Sequence, residues 1–278
     1  MTCKDLSCFR EESGEYISTV VNCGANQSIP ITLTSNKSNG GKKGIVAFVY
    51  GAYGAYVTNR YNEFRQVLMD AGFTTAQCHV RGSRSKGWPW YHEGRRQNKE
   101  KTFEDYIECI NYLRSEHLSD TGILIGYGQS AGGLVLGVAI NRHPHIFDAA
   151  VFDYPYLDPL TTMCRDTLPL TLTEYSEWGN PQKTEDYSVL QKYSPYQNVR
   201  KASFPPMLFQ MGLRDTSTPY WQVLKAVQKY RINNLNINTN IFASISHGGH
   251  PGTIPYPLRM KELTEQVLFM TDVKLATE

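Results

Sequence analysis

The run Gly122-Ile123-Leu124-Ile125-Gly126-Tyr127, followed at once by Gly128-Gln129-Ser130-Ala131-Gly132-Gly133, constrains the fold more than any other part of the chain. The first half is apolar and strand-like. Beyond the glycines, Leu134, Val135, Val138, Ala139 and Ile140 have helical spacing, ending near Asn141-Arg142-His143-Pro144. A G-x-S-x-G turn between a strand and a helix is a nucleophile elbow. So sharp a turn forces its central residue into a strained backbone conformation. The residues two before and two after must then lack a Cβ, or they would collide. The serine oxygen is held at the tip, with the helix N–H groups and positive dipole end behind it, facing any developing oxyanion.

The remaining pattern agrees with that frame. Residues 1–15 are polar and unpatterned and read as a loose lead-in, with a single domain over 16–278. Two alternating stretches, Ile17 to Cys23 and Ile29 to Thr34, read as a hairpin. After a Gly/Ser/Lys/Asn-rich loop (35–43), short apolar runs at 45–50, 74–80, 122–127, 149–154, 207–211 and 238–245 alternate with helical patterns at 59–71, 101–114, 131–141, 220–230 and 257–271. Continuous apolar strands between amphipathic helices predict an α/β fold, with a mostly parallel central sheet covered on both faces. Ligands in such sheets bind beyond the strand C-termini. Tyr50, Arg81, Ser130, Asp215 and His247 all fall there.

Composition removes several function classes. The 278 residues carry 28 Lys and Arg against 26 Asp and Glu, a formal charge of +2 with no basic tract, which argues against nucleic-acid binding. No apolar run reaches the length of a membrane span. The polar start Met1-Thr2-Cys3-Lys4-Asp5 lacks the apolar core of a signal peptide, so a cytoplasmic location is expected. The six cysteines, Cys3, Cys8, Cys23, Cys78, Cys109 and Cys164, form no C-x-x-C pair and read as reduced thiols, with Cys78 and Cys109 in the core. Neither a metal nor a cofactor is expected.

A serine hydroxyl needs a base to take its proton and an acid to orient that base. On this fold the three follow in the order serine, acid, histidine. Of the histidines well beyond Ser130, His145 ends the nucleophile helix and reads as a surface residue. His247, in the glycine-rich loop directly after a strand, is the expected base, with His250 as the alternative before Pro251. Asp215 is the expected acid, because a strand-end loop beside the last strand brings it near His247. Asp153 and Asp158 are its rivals, and Asp158 also suits the cap of a following turn.

These residues give the chain a family resemblance. It is similar to the catalytic domain of the prolyl oligopeptidase family of serine peptidases, above all to oligopeptidase B and prolyl endopeptidase-like members. The similarity runs from about Tyr16 to Met270. It is carried by Val49-Tyr50-Gly51-Ala52-Tyr53-Gly54, His79-Val80-Arg81-Gly82, the elbow, Thr161-Thr162-Met163, Pro169-Leu170-Thr171, Glu177-Trp178-Gly179-Asn180-Pro181, Tyr193-Ser194-Pro195-Tyr196 and His247-Gly248-Gly249. The resemblance implies an α/β-hydrolase fold with Ser130 as nucleophile, Asp215 as acid and His247 as base. It also implies an oxyanion hole made of the Ala131 N–H and the Tyr50 hydroxyl, with Tyr53 as the fallback, and substrate binding by Glu174 and Arg81.

Three departures qualify that transfer. Family members carry an N-terminal β-propeller that caps the site, while this chain starts at the hydrolase domain. The gate is therefore expected to be absent, supplied separately or removed by truncation. The family's Arg-Gly-Gly-Gly-Glu stretch reads Arg81-Gly82-Ser83-Arg84-Ser85 here. Of the two glutamates with which oligopeptidase B clamps a basic side chain, Glu174 is present and the other is Ser176; Ser217 stands where several relatives have an arginine. Losing a carboxylate from a desolvated guanidinium site weakens preference for basic residues. The expected function is a serine peptidase acting on short peptides through an acyl-enzyme. The alternatives are an esterase or thioesterase, or a non-catalytic interaction protein. A homo-oligomer or a separate partner is expected over the surface that a propeller would cover.

Overall fold

The computed structural model of the protein describes residues 9–24, 28–56, 62–118, 122–236 and 240–273. Among these, nine strands form one sheet: β1 (Phe9–Ser13), β2 (Tyr16–Cys23), β3 (Ile29–Asn36), β4 (Gly44–Val49), β5 (Phe73–Cys78), β6 (Ile123–Gln129), β7 (Ala149–Asp153), β8 (Met207–Gly212) and β9 (Ile241–Ser246). Their spatial order is β1-β2-β3-β5-β4-β6-β7-β8-β9. The pairs from β1 to β5 are antiparallel and the rest are parallel. The chain moves outward from β4 to β5, then crosses back to lay β6 on the other side of β4. That reversal is the switch point beyond which open α/β sheets hold ligands.

The strands alternate cleanly between two cores. Ile45, Ala47 and Val49 face one side, where they join Phe103, Tyr106 and Ile110 of α3 (Glu100–Glu116) and Leu134 and Val138 of α4 (Ala131–Arg142). Val46 and Phe48 face the other, with Leu68 of α1 (Glu63–Asp70) and Met270 of α10 (Tyr256–Asp272). Burial on both faces explains why the parallel strands read as unbroken apolar runs. This is the α/β-hydrolase architecture expected from the sequence.

One expectation fails at an edge, and another falls partly outside the described residues. The supposed lead-in contains β1, whose five residues pair antiparallel with β2, so sheet structure begins before residue 16. The strand is short and polar, and an edge position sets no burial pattern for a sequence to reveal. The first helix was expected from Asn59, but residues 57–61 lie outside the described residues, and α1 starts at Glu63. Its cap is Asn62, whose side chain accepts from Arg65 N.

Between β7 and β8 the chain builds four short helices that the strand and helix periodicities did not reveal: α5 (Pro159–Met163), α6 (Thr171–Trp178), α7 (Thr184–Tyr193) and α8 (Pro195–Asn198). The remaining helices are α2 (Trp88–His92) and α9 (Tyr220–Asn233). Asp158 caps α5 by accepting from Thr161 N, as its position before Pro159 suggested. The α5–α6 layer stands over the C-terminal edge of the sheet, beside the end of β6.

Candidate active site

Ser130 has φ 53 and ψ −121, a backbone conformation an L-residue rarely adopts. Strain of this kind costs about 1–3 kcal/mol and needs support from the surroundings. Ser130 N donates to Asp153 O at 3.0 Å, and Ser130 O accepts from Gly133 N and Tyr156 N, each at 2.9 Å. The flanking glycines are sterically required. A Cβ on Gly132 would strike the Val49 carbonyl oxygen of β4, and one on Gly128 would strike that of Gly132. The elbow is therefore wedged against β4, the strand that leads into Tyr50.

The imidazole that reaches the serine belongs to His250. Its Nε2 lies 3.1 Å from Ser130 Oγ and its Nδ1 lies 2.8 Å from Asp215 Oδ2. His247 is exposed and takes no part, so the expectation that favoured it is corrected. The reason lies in how the chain leaves β9. Ser246 still pairs with Gly212 and turns its hydroxyl inward, 2.8 Å from the Tyr154 hydroxyl, which leaves His247 outside. Gly248 O then accepts from Arg214 N across the end of β8. Three residues are needed to return a side chain over Ser130. A 3-10 turn at Pro251–Thr253 fixes that side chain, because Thr253 N and Oγ1 both donate to His250 O. The Tyr154 ring meets the imidazole edge-on at 6.2 Å.

Asp215 is where the sequence placed it, in the loop after β8, with its carboxylate fully buried. Burial works against its charge. The hydrogen bond and charge of His250 and the Thr218 donors outweigh that, holding the carboxyl below its ordinary range. Oδ1 accepts from Ser217 N and Thr218 N, and Oδ2 accepts from Thr218 Oγ1 at 2.7 Å. Thr218 was not singled out from the sequence, where a hydroxyl in a polar loop carries no signal. The rival acids have other work: Asp153 is bound by Arg259, Tyr127 and Gln129, and Asp158 by Lys225 and the α5 cap.

Tyr50 follows directly on β4, and its hydroxyl is close enough to the Ser130 side chain to interact with it. Burial raises its pKa, the serine contact opposing, so the phenol stays protonated and able to donate. Ala131 opens α4, where backbone N–H groups have no partner within the helix. A phenol and a free N–H thus flank the serine oxygen. The fallback, Tyr53, is committed elsewhere: its hydroxyl donates to Glu174 Oε2 at 2.8 Å and its N–H to Glu177 Oε1 at 3.0 Å. Beneath this turn, the fully buried Lys99 donates from Nζ to Gly51 O at 2.5 Å. Burial lowers its ammonium to about 8, with Glu177 pulling the other way.

A cleft of about 500 Å³ opens beside Ser130 and Ala131, walled by Tyr156, Trp178, Glu174 and Ser217. Glu174 Oε2 accepts from both Tyr53 Oη and Trp178 Nε1, each at 2.8 Å. Burial lifts its carboxyl above the ordinary range against those two donors. Ser176 instead turns its hydroxyl back to Thr173 O on its own helix. Arg81, expected to bind substrate, does not reach this cleft. Its guanidinium and backbone N–H are taken by Asp105 of α3, and its plane lies over Trp90. An arginine facing a buried carboxylate one helix away is held by it.

Among the described residues no group of three or more His, Cys, Asp or Glu is placed to hold a metal ion, and no helix is long and apolar enough to cross a membrane. Cys23, Cys78 and Cys109 are buried thiols, as expected for the last two, while Cys164 is exposed.

A profile of the prolyl oligopeptidase family matches residues 59–267. The dipeptidyl aminopeptidase BI of Pseudoxanthomonas mexicana is 34% identical over 246 residues, 88% of this chain and 34% of that protein. The human prolyl endopeptidase-like protein is 34% identical over 191 residues, 68% of this chain and 26% of that protein. Oligopeptidase B from Trypanosoma brucei, in a closed form with covalently bound antipain, superposes with a TM-score of 0.87 at 30% identity, covering 95% of this chain and 38% of that one. The chain spans between 26% and 38% of the length of these relatives.

Proposed function

The chain belongs to the prolyl oligopeptidase family, and on that footing we propose that it is a serine hydrolase cleaving short peptides through an acyl-enzyme. One observation carries the reading: a single imidazole lies within hydrogen-bond reach of both the strained serine and a buried carboxylate. His250 takes the Ser130 proton as Oγ attacks a carbonyl, and Asp215 holds the imidazole in its tautomer and stabilises the imidazolium. The Tyr50 hydroxyl and the Ala131 N–H receive the oxyanion, each such donor lowering the barrier by about 3–4 kcal/mol. His250 then protonates the leaving group, and water repeats the cycle on the ester.

Glu174 is the specificity group of the cleft. As one carboxylate already holding two donors, it gives a modest preference for a basic residue before the scissile bond. The exposed apolar side chains of the cleft, Tyr53 and Leu170, are a surface for a further segment or a separate partner. Turnover of an arginyl amide by purified protein, abolished in Ser130→Ala, is the expected result. Turnover of an acyl thioester alone replaces the peptidase with a thioesterase. Cleavage of neither, with no fluorophosphonate labelling of Ser130, overturns the hydrolase reading.

A further inference from the structure

A second open cavity, of about 970 Å³, lies on the α1 side of the sheet beyond the C-terminal ends of β4 and β6. Its apolar wall is a cluster of three rings: Phe48 and Tyr127 with centroids 4.7 Å apart, and Phe64 at 6.4 Å from Phe48 and 5.5 Å from Tyr127. Among the described residues two cations line it, and they differ in their counter-charges. Arg259 is neutralised, with Nη1 and Nη2 on the Asp153 carboxylate at 2.9 and 2.6 Å and Nη1 on Glu262 at 3.2 Å. Arg65 has no such partner. Its Nη2 donates to the neutral Gln77 Oε1 at 2.8 Å, its guanidinium lies 5.0 Å from the Phe48 ring centre, and no ion pair links it to a carboxylate among the described residues.

A half-buried guanidinium without an anion has lost hydration and gained little in return. Its fork geometry matches a carboxylate bidentately. The adjoining rings offer apolar surface for whatever carries that carboxylate. Asp153, the acid that neutralises Arg259, is further bound by Tyr127 and Gln129 and is not paired with Arg65. Tyr50 lines this cavity and its side chain also interacts with Ser130, which lines the catalytic cleft, so one residue lies between the two.

We infer that this cavity is a second binding site, in which Arg65 receives the carboxylate of a ligand whose aromatic or aliphatic body packs on Phe48, Phe64 and Tyr127. That carboxylate comes either from the C-terminus of a peptide substrate or from a free organic acid. Only the first source rests on the hydrolase reading.

The test starts with Ser130→Ala protein titrated calorimetrically with 3-phenylpropionate and with 3-phenylpropionamide. The acid is expected to bind at least tenfold more tightly than the amide, with the difference lost in an Arg65→Gln background and partly kept in Arg65→Lys. Thermal melts of all variants establish that they are folded. Equal binding of acid and amide, no binding of either, or binding unchanged by Arg65→Gln overturns the site. The source is then read from the wild-type protein, using peptides with free or amidated C-termini. A kcat/KM preference for the free acid that Arg65→Gln removes assigns the peptide terminus. Turnover blind to that carboxylate, alongside tight binding of the acid, assigns a free ligand. Fluorophosphonate labelling of Ser130 is scored separately, so a failed hydrolase reading leaves the binding result standing.

Discussion

Ser130 and His250 meet at 3.1 Å, yet the two loops that carry them are held by different means. The elbow takes its turn from its own glycines, with Asp153, Tyr156 and β4 holding it from outside. Gly128 and Gly132 remove the Cβ atoms that would collide, Gly133 closes the turn on the serine carbonyl, and α4 starts at the next residue. The histidine loop depends on distant partners. Gly248 is pinned to Arg214, the imidazole to Asp215, and its ring edge to Tyr154. One half of the site is specified by local stereochemistry and the other by tertiary contacts. A short motif can therefore reveal the first, while the second stays open to a three-residue error.

The largest test of that contrast is a pair of histidine substitutions. His250→Ala is expected to lower kcat about 10⁴-fold, while His247→Ala stays within about threefold of wild type. The reverse result would return the base to His247 and break the comparison. Next in size is Tyr50→Phe, which removes one oxyanion donor. A loss of about 10²–10³ in kcat with little change in KM is expected, and steady-state kinetics on an activated ester reads both.

Much of this was legible beforehand, and the misses have physical causes. Strands buried on both faces announce themselves as apolar runs, so β4 to β8 and the long helices between them were readable. Asp215 was readable because strand order fixes which loop adjoins the last strand. His250 was legible only as the alternative to His247, because the distance from the end of β9 back to Ser130 depends on how Gly248 and Gly249 bend across β8, and glycines encode no direction. Arg81 was misplaced for a related reason: its partner, Asp105, sits on a helix whose packing angle no local pattern reveals. The helices from Pro159 to Asn198 are too short for periodicity to rise above chance.

Smaller effects sharpen the contrast. Thr218→Val removes a hydroxyl that donates to the Asp215 carboxylate, and a drop in kcat of roughly tenfold is expected, restored by Thr218→Ser. Failure of serine to rescue would reduce Thr218 to a packing role. The last test asks whether the serine side is as local as it looks, since Lys99 holds Gly51 from below. Its ammonium sits at about 8 when folded against 10.5 for a free lysine, so between those values the unfolded chain binds more protons. Stability from this group therefore rises as pH increases from 8 to 10, by up to about 3 kcal/mol. Denaturant melts should show wild type gaining on Lys99→Met over that range. A constant difference would mean that the ammonium is not desolvated as its burial implies.

The order in which the three polar groups occur along the polypeptide has a consequence for synthesis. β6 through β9 are laid down one beside the next, so the serine leaves the ribosome first, the carboxylate later and the imidazole last. A nascent chain therefore carries the serine 120 residues before the imidazole that reaches it in the fold.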